Sequence, residues 1–175
     1  MELSDFGSSA NGTKVQLRGS WLGANQIWAL AERVSILNQH IYNLRNCQGG
    51  TAVDLSGGDN HTIIGYHPHE GPNQAWIFEQ DGDQNGWFIK SLRSGQYLGI
   101  EGNAYNGIAV VAIPYPFKWD VRDSDVQGVL GIRILVHGTN YSMELSDFGS
   151  SANGTKIQLL DSWAGANQIW ITLER

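Results

Sequence analysis

From residue 40 onward, apolar and polar positions alternate in short runs, and Gly, Asn, Asp and Ser break the runs at close intervals. The pattern is clearest in Trp87-Phe88-Ile89 and in Ile132-Arg133-Ile134-Leu135-Val136. A period of two is the signature of strands with one face buried. The punctuating pairs Gly49-Gly50, Gly57-Gly58, Asn85-Gly86 and Asn153-Gly154 are residues that tight hairpin turns require. Read this way, the chain holds twelve strands in three groups of four. The first group is His40–Asn46, Thr51–Ser56, Thr62–His67 and Gln74–Gln80. The second is Gly86–Leu92, Gln96–Glu101, Gly107–Ile113 and Phe117–Arg122. The third is Gly131–His137, Tyr141–Ser146, Gly154–Leu160 and Asn167–Glu174. Even spacing of short strands predicts an all-β closed barrel or sandwich.

Two repeats overlie this pattern. Residues 1–33 recur at 143–175 without a gap, identical at 26 of 33 positions. The second repeat is shorter. Asn-Gln-x-Trp occurs at Asn25-Gln26-Ile27-Trp28, Asn73-Gln74-Ala75-Trp76 and Asn167-Gln168-Ile169-Trp170, with a degenerate member at Phe117-Lys118-Trp119. The tryptophans stand 48, 43 and 51 residues apart. Propeller blades have a similar period, but the chain has too few units to close a propeller.

Three lobes, each ending near Asn-Gln-x-Trp, resemble the ricin-B-type lectins. The stretches Thr51-Ala52-Val53-Asp54-Leu55-Ser56-Gly57-Gly58-Asp59-Asn60 and Thr62-Ile63-Ile64-Gly65 resemble the mushroom branch of that family more narrowly. That branch includes galactose-specific fruiting-body lectins and the lectin-like light subunit of mushroom tyrosinase. The resemblance implies a β-trefoil over residues 34–175, with lobes at about 36–80, 81–123 and 124–175, and an extra partial copy of the third lobe at 1–33. It also implies that Gln74, Trp76, Gln168 and Trp170 lock the lobes as core residues.

In the resembled family a sugar pocket takes an acid from the second strand of a lobe, an aromatic from the end of the third and the Asn of the repeat. The chemistry matches that set. A carboxylate accepts from adjacent hydroxyls, a ring covers the apolar sugar face, and an amide completes the pocket. In lobe one the resemblance implies Asp54 as the acid, Tyr66 or His67 as the platform, Asn73 as the amide with Gln74 behind it, and Gly57 leaving backbone open nearby. The competing role for Asp54 is a turn residue that closes the Ser56–Asn60 loop. Lobe two has Gly99 at the acid position and Pro116 or Phe117 at the amide, so it should be structural only. Lobe three has Glu144, Leu160, Asn167 and Gln168, with Trp163 near in sequence, so it should be silent or a weak second site.

Composition narrows the alternatives. The 175 residues include 22 Gly, 7 Trp, 6 Tyr and 5 Phe, charged residues are 16%, and the net charge is −6. An acidic chain without basic patches is a poor match for nucleic acid or anionic membranes. Cys47 has no partner for an internal disulfide, and nothing flanking it marks a nucleophile. His67-Pro68-His69-Glu70 lacks a fourth ligand for zinc, and is expected to be a loop beside the sugar site. Asp81/Asp83 and Asp123/Asp125 are expected to be solvated turn residues. No phosphate loop or nucleophile elbow is present, and neither a metal nor a cofactor is expected. Residues 1–11 carry no secretory signal pattern, which predicts a cytosolic protein with unmodified sequons.

The expected function is therefore a non-catalytic lectin for terminal galactose or N-acetylgalactosamine on glycoproteins or glycolipids. A lectin-like partner subunit and a trefoil protease inhibitor are the alternatives. The surplus copy of lobe three predicts homo-oligomers by exchange of that element. The C-terminal copy is expected to hold the native slot, because Ile171-Thr172-Leu173 favours strand more than Ala29-Leu30-Ala31 does.

Overall fold

A computed structural model describes residues 2–3, 15–16, 35–83 and 85–175. The chain divides into two units, Met1–Glu32 and Arg33–Arg175. In the first, β1 (Glu2–Leu3) pairs antiparallel with β2 (Val15–Gln16). Phe6, Trp21, Ile27 and Trp28, the large apolar residues of the duplicated segment, lie outside the described residues.

In the second unit all twelve predicted strands form. Lobe one contains β3 (His40–Asn46), β4 (Ala52–Leu55), β5 (Ile63–Tyr66) and β6 (Trp76–Gln80). Lobe two contains β7 (Trp87–Ser91), β8 (Tyr97–Gly99), β9 (Val111–Ile113) and β10 (Trp119–Asp123). Lobe three contains β11 (Ile132–Val136), β12 (Tyr141–Leu145), β13 (Thr155–Asp161) and β14 (Trp170–Glu174). The first and last strands of each lobe form a closed ring: β3–β6–β7–β10–β11–β14 and back to β3. The inner strands make three hairpins, β4–β5, β8–β9 and β12–β13. The hairpins are tied to one another by β13–β5 pairing and by bridges at Thr62↔Val111 and Ala109↔Gln158. A six-stranded barrel capped by three hairpins is a β-trefoil.

Some strands are shorter than the sequence pattern implies, for identifiable reasons. Gly107 and Val110 donate to the carbonyls of Leu159 (2.7 Å) and Ile157 (3.0 Å), so their backbone serves the neighbouring lobe rather than β8. Ahead of β6 and β14 the chain makes 3₁₀ turns, Pro72–Gln74 and Ala166–Gln168. Each turn directs a fully buried glutamine inward before the strand begins.

The lobes are joined at the centre by tryptophan. Trp76, Trp119 and Trp170 are each fully buried. Their indole N–H groups donate to the second strand of the same lobe: Val53 O at 3.0 Å, Leu98 O at 3.0 Å and Met143 O at 3.2 Å. Around them pack Leu44, Leu55, Phe78, Ile89, Ile134, Leu145 and Leu159. The register leaves Val53 and Leu55 on this core face and turns Asp54 away from it.

The turn after β4 is closed by Asp59. Its carboxylate accepts from the N–H groups of His61 and Thr62, each at 3.0 Å, and from the Thr62 hydroxyl at 2.5 Å. Asp54 therefore does not close this turn. Asp120 holds His137 at 2.6 Å, and Asp125 grips the buried Arg133 at 2.5 Å, so Asp125 anchors structure instead of decorating a solvated turn.

Two outcomes test this arrangement. Trp76→Ala should lower unfolding free energy by ~3–5 kcal/mol in chemical denaturation, the cost of a large core truncation. Trp76→Phe should retain part of that packing but leave the Val53 carbonyl unpaired, a loss of about 1–3 kcal/mol. The Asp59 carboxyl is pulled down to about 2 by the Thr62 hydroxyl and then by the two backbone donors. Its folded value lies below the ordinary one of about 3.9, so the turn's contribution is complete above about pH 4 and fades toward pH 2. A carboxyl-carbon NMR titration should show a midpoint near 2; one near 3.9 would disprove the turn geometry.

Candidate carbohydrate-binding site

Asp54 sits in the middle of β4 and is paired with Ile64 of β5, while Ala52 is paired with Tyr66. Cross-strand partners point to the same side of a hairpin. Asp54, Ile64 and Tyr66 thus share the face turned away from the core. His67, the next residue after Tyr66, has a different setting: its N–H donates to Asn153 Oδ1 at 2.7 Å and it lines a cleft toward lobe three. Of the two aromatic candidates, the structure places Tyr66 on the Asp54 face.

Asp54 is only 3% exposed, yet among the described residues no Lys or Arg pairs with it. Amide donors compensate instead. Asn73 Nδ2 and Gln74 Nε2 donate to its Oδ2 at 2.9 and 2.8 Å. A buried carboxylate is tolerable when charge-assisted hydrogen bonds replace its water. Oδ1 accepts from none of the described residues and remains the oxygen available to a ligand.

Gln74 is saturated by this arrangement. Besides Asp54, its Nε2 donates to His67 O at 2.9 Å, and its Oε1 accepts from His69 N–H at 2.8 Å. Both amide hydrogens are spent and the residue is fully buried, so it positions the acid and the 67–74 loop from beneath. Asn73 keeps capacity, since only one of its amide hydrogens is engaged with Asp54. Gly57 stands in the exposed turn after β4, beside the Arg93 guanidinium.

His69 is the member of this group that sequence reasoning missed. Its Nδ1 accepts from Gly71 N–H at 2.9 Å, which leaves Nε2 as the proton-bearing nitrogen of the neutral ring. That nitrogen lies 3.4 Å from Asp54 Oδ2. The ring also meets Tyr66 edge-on, with centroids 6.2 Å apart. A Cβ on Gly71 would fall 2.6 Å from both Asn73 Oδ1 and His69 Cε1, so only glycine permits this packing. The two histidines of His67-Pro68-His69-Glu70 thus serve different neighbours.

The signal for His69 lay in lobe three. Counting back from Gln168 gives Asn167, Gly165 and Trp163, as counting back from Gln74 gives Asn73, Gly71 and His69. The hydrogen bonds repeat too: Gln168 Oε1 accepts from Trp163 N–H at 3.1 Å, and Gln168 Nε2 donates to Asp161 O at 3.1 Å. Trp163 packs on Gly165 as His69 packs on Gly71.

Lobe three is nevertheless closed where lobe one is open. Glu144 is 4% exposed, and its Oε2 accepts from Asn167 (3.3 Å) and Gln168 (3.2 Å). Its Oε1 accepts from Gln158 at 2.9 Å, so both oxygens are engaged within the protein. Asn167 is itself buried and also donates to Leu145 O at 3.1 Å. Arg133 adds a cation through the amide, donating to Gln168 Oε1 at 2.6 Å. Leu160 occupies the position of Tyr66 and offers no ring.

Lobe two has no room for an acid. A Cβ on Gly99 would meet Ile113 Cδ1 at 2.3 Å and Phe117 Cβ at 3.0 Å.

Comparison with known proteins accords with this geometry. Residues 72–160 match the family model described as ricin-type beta-trefoil lectin domain-like. A ricin B-like lectin from Macrolepiota procera, solved in complex with lactose, is 38% identical over 79% of this chain and 98% of its own, with a TM-score of 0.75. The Rhizoctonia solani agglutinin is 26% identical over 81% of this chain and 99% of its own, with a TM-score of 0.71. ThreeFoil, a designed protein of threefold symmetry, is 20% identical over 77% of this chain and 99% of its own, with a TM-score of 0.69, and shares the fold. No curated protein matches. A β-trefoil in which two lobes repeat one carboxylate–amide arrangement, in a sequence this similar to a ricin B-like lectin, is a member of the ricin-type β-trefoil lectin family.

Proposed function

We propose that this chain is a non-catalytic lectin that binds terminal galactose or N-acetylgalactosamine in lobe one. One observation carries the reading: Asp54 is held by internal amides on a single oxygen, while Oδ1 has no partner among the described residues. Adjacent sugar hydroxyls are donors that match a fixed carboxylate, and the exposed Tyr66 ring supplies the apolar surface that a galactose face requires. Asn73 adds an amide beside the acid. The lactose complex of the Macrolepiota procera relative supports a β-galactoside as the first ligand to test.

Lobe three is silent in this reading, because Glu144 has already given both oxygens to amides of its own lobe. A single shallow pocket binds weakly, so useful avidity comes from association of several chains.

Isothermal titration with lactose should give one site per chain. Asp54→Ala should weaken binding by roughly 10- to 100-fold, about 1.5–3 kcal/mol for hydrogen bonds to a charged acceptor. Because Asp54 is buried, Tyr66→Ala provides a variant whose fold is not at risk. It should weaken binding about three- to tenfold, matching an aromatic contact of about 0.5–1.5 kcal/mol. Neither galactoside nor N-acetylgalactosamine binding to the wild type, on a glycan array or by titration, would refute the proposal and favour a partner-subunit role.

Glu144→Gln discriminates between the lobes. It should leave lactose affinity within about twofold, a difference well under 1 kcal/mol. A loss as large as that from Asp54→Ala would place sugar in lobe three.

A further inference from the structure

Lobes one and three meet at a second concavity of about 560 Å³, lined by Arg45, Gly50, Thr51, His67, Ser151 and Asn153 among others. That volume lies within the usual range for small-ligand pockets, ~300–1,000 Å³. Its walls are fixed. The turn after β3 presses on the turn after β12 so closely that a Cβ on Gly49 would fall 2.5 Å from the Gly149 carbonyl oxygen. Across the lobes, Gly154 N–H donates to Gly65 O at 2.9 Å and His67 N–H to Asn153 Oδ1 at 2.7 Å.

The cleft's chemistry is the opposite of the Asp54 site. Among the described residues no Asp or Glu lines it, although the whole chain carries a net charge of −6. Arg45 spends its Nε on Gly50 O at 2.9 Å, and among the described residues no carboxylate pairs with its two terminal nitrogens. Asn153 accepts from His67 with its oxygen, which assigns its NH₂ group as the free donor. The Ser151 hydroxyl and the exposed His67 ring complete a set that is cationic and rich in donors. A guanidinium fork beside amide and hydroxyl donors fits a compact oxyanion, such as a sulfate or a carboxylate.

The two sites share a loop. His67 and Pro68 face the cleft, whereas His69 and Asn73 contact Asp54 and Gln74 bonds to both ends. Thr51 of the cleft immediately precedes β4 and is three residues from Asp54, ~10 Å at the usual strand rise. We propose that the cleft is an oxyanion subsite, which takes the sulfate or carboxylate of an acidic glycan whose neutral terminal sugar sits in lobe one. The glycan part rests on the lobe-one reading; the anion site does not.

The test is a titration of wild type and Arg45→Gln with lactose, sulfated lactose and sialyllactose. A parallel amide NMR titration uses sodium sulfate. Arg45 is exposed, so its replacement leaves the fold intact. One acidic sugar or both should bind the wild type about tenfold more tightly than lactose, the effect of one charge-assisted contact. Arg45→Gln should erase that excess and leave lactose affinity unchanged. Which acidic sugar gains identifies the anion. Acidic sugars no tighter than lactose, or an excess that survives Arg45→Gln, would overturn the subsite. Should lactose itself fail to bind, the lobe-one reading falls and the sulfate titration decides alone. Shifts at Gly50 and Asn153 that vanish in Arg45→Gln sustain the anion site, and their absence rejects it.

Discussion

Three indole N–H groups, each bonded to a carbonyl of its own lobe, are the constraint on which the remaining architecture depends. Each bond ties the last strand of a lobe to its second strand across the core, and each ring fills the centre of the barrel. Because the bond is made to a main-chain carbonyl, it fixes the second strand in register as well as in position. In lobe one that register puts Val53 inward and therefore Asp54 outward. The candidate acid is thus placed by a tryptophan that lies wholly in the core.

The glutamine two residues before each of two of those tryptophans extends the constraint from core to surface. Gln74 and Gln168 are fully buried, yet each bonds a carboxylate with its N–H and a loop residue with its oxygen. The two lobes then diverge by one methylene. The longer Glu144 reaches Gln158 across the hairpin and satisfies its second oxygen inside the protein. The shorter Asp54 faces Ile64, which offers no donor. An open and a closed version of one arrangement follow from a Glu–Gln pair in one hairpin and an Asp–Ile pair in the other.

Fold was readable from residues because its signals are periodic: alternation gave the strands, and spaced tryptophans gave the lobes. Asn73 and Gln74 stand out because they hold fixed offsets from Trp76, whereas Asp54 is marked by the resemblance of its strand to the ricin-B-type lectins. Choosing Tyr66 over His67 required strand register, which alternation alone does not supply at a strand end. His69 was missed because its role depends on a loop folding back over Gly71, and loop geometry leaves no period in sequence. Asp59 and Asp125 were hidden for a related reason. An acid that closes a turn or grips a buried arginine looks the same in sequence as one that only faces water. The cleft beside Arg45 has no motif at all, since its residues come from turns of two lobes.

The repeated hairpin has a further meaning. Glu2↔Gln16 and Leu3↔Val15 reproduce the pairing of Glu144↔Gln158 and Leu145↔Ile157, each displaced by 142 positions. The two copies lie in separate units of the chain and share one register. Hairpin pairing here is consequently written in the local sequence, in the turn and its flanking residues, and does not need the barrel to dictate it. The long-range step is closure of the ring, where β14 must find both β11 and β3. Without β14 the edges of β3 and β11 would lie open, and unpaired strand edges are the surfaces that recruit other chains.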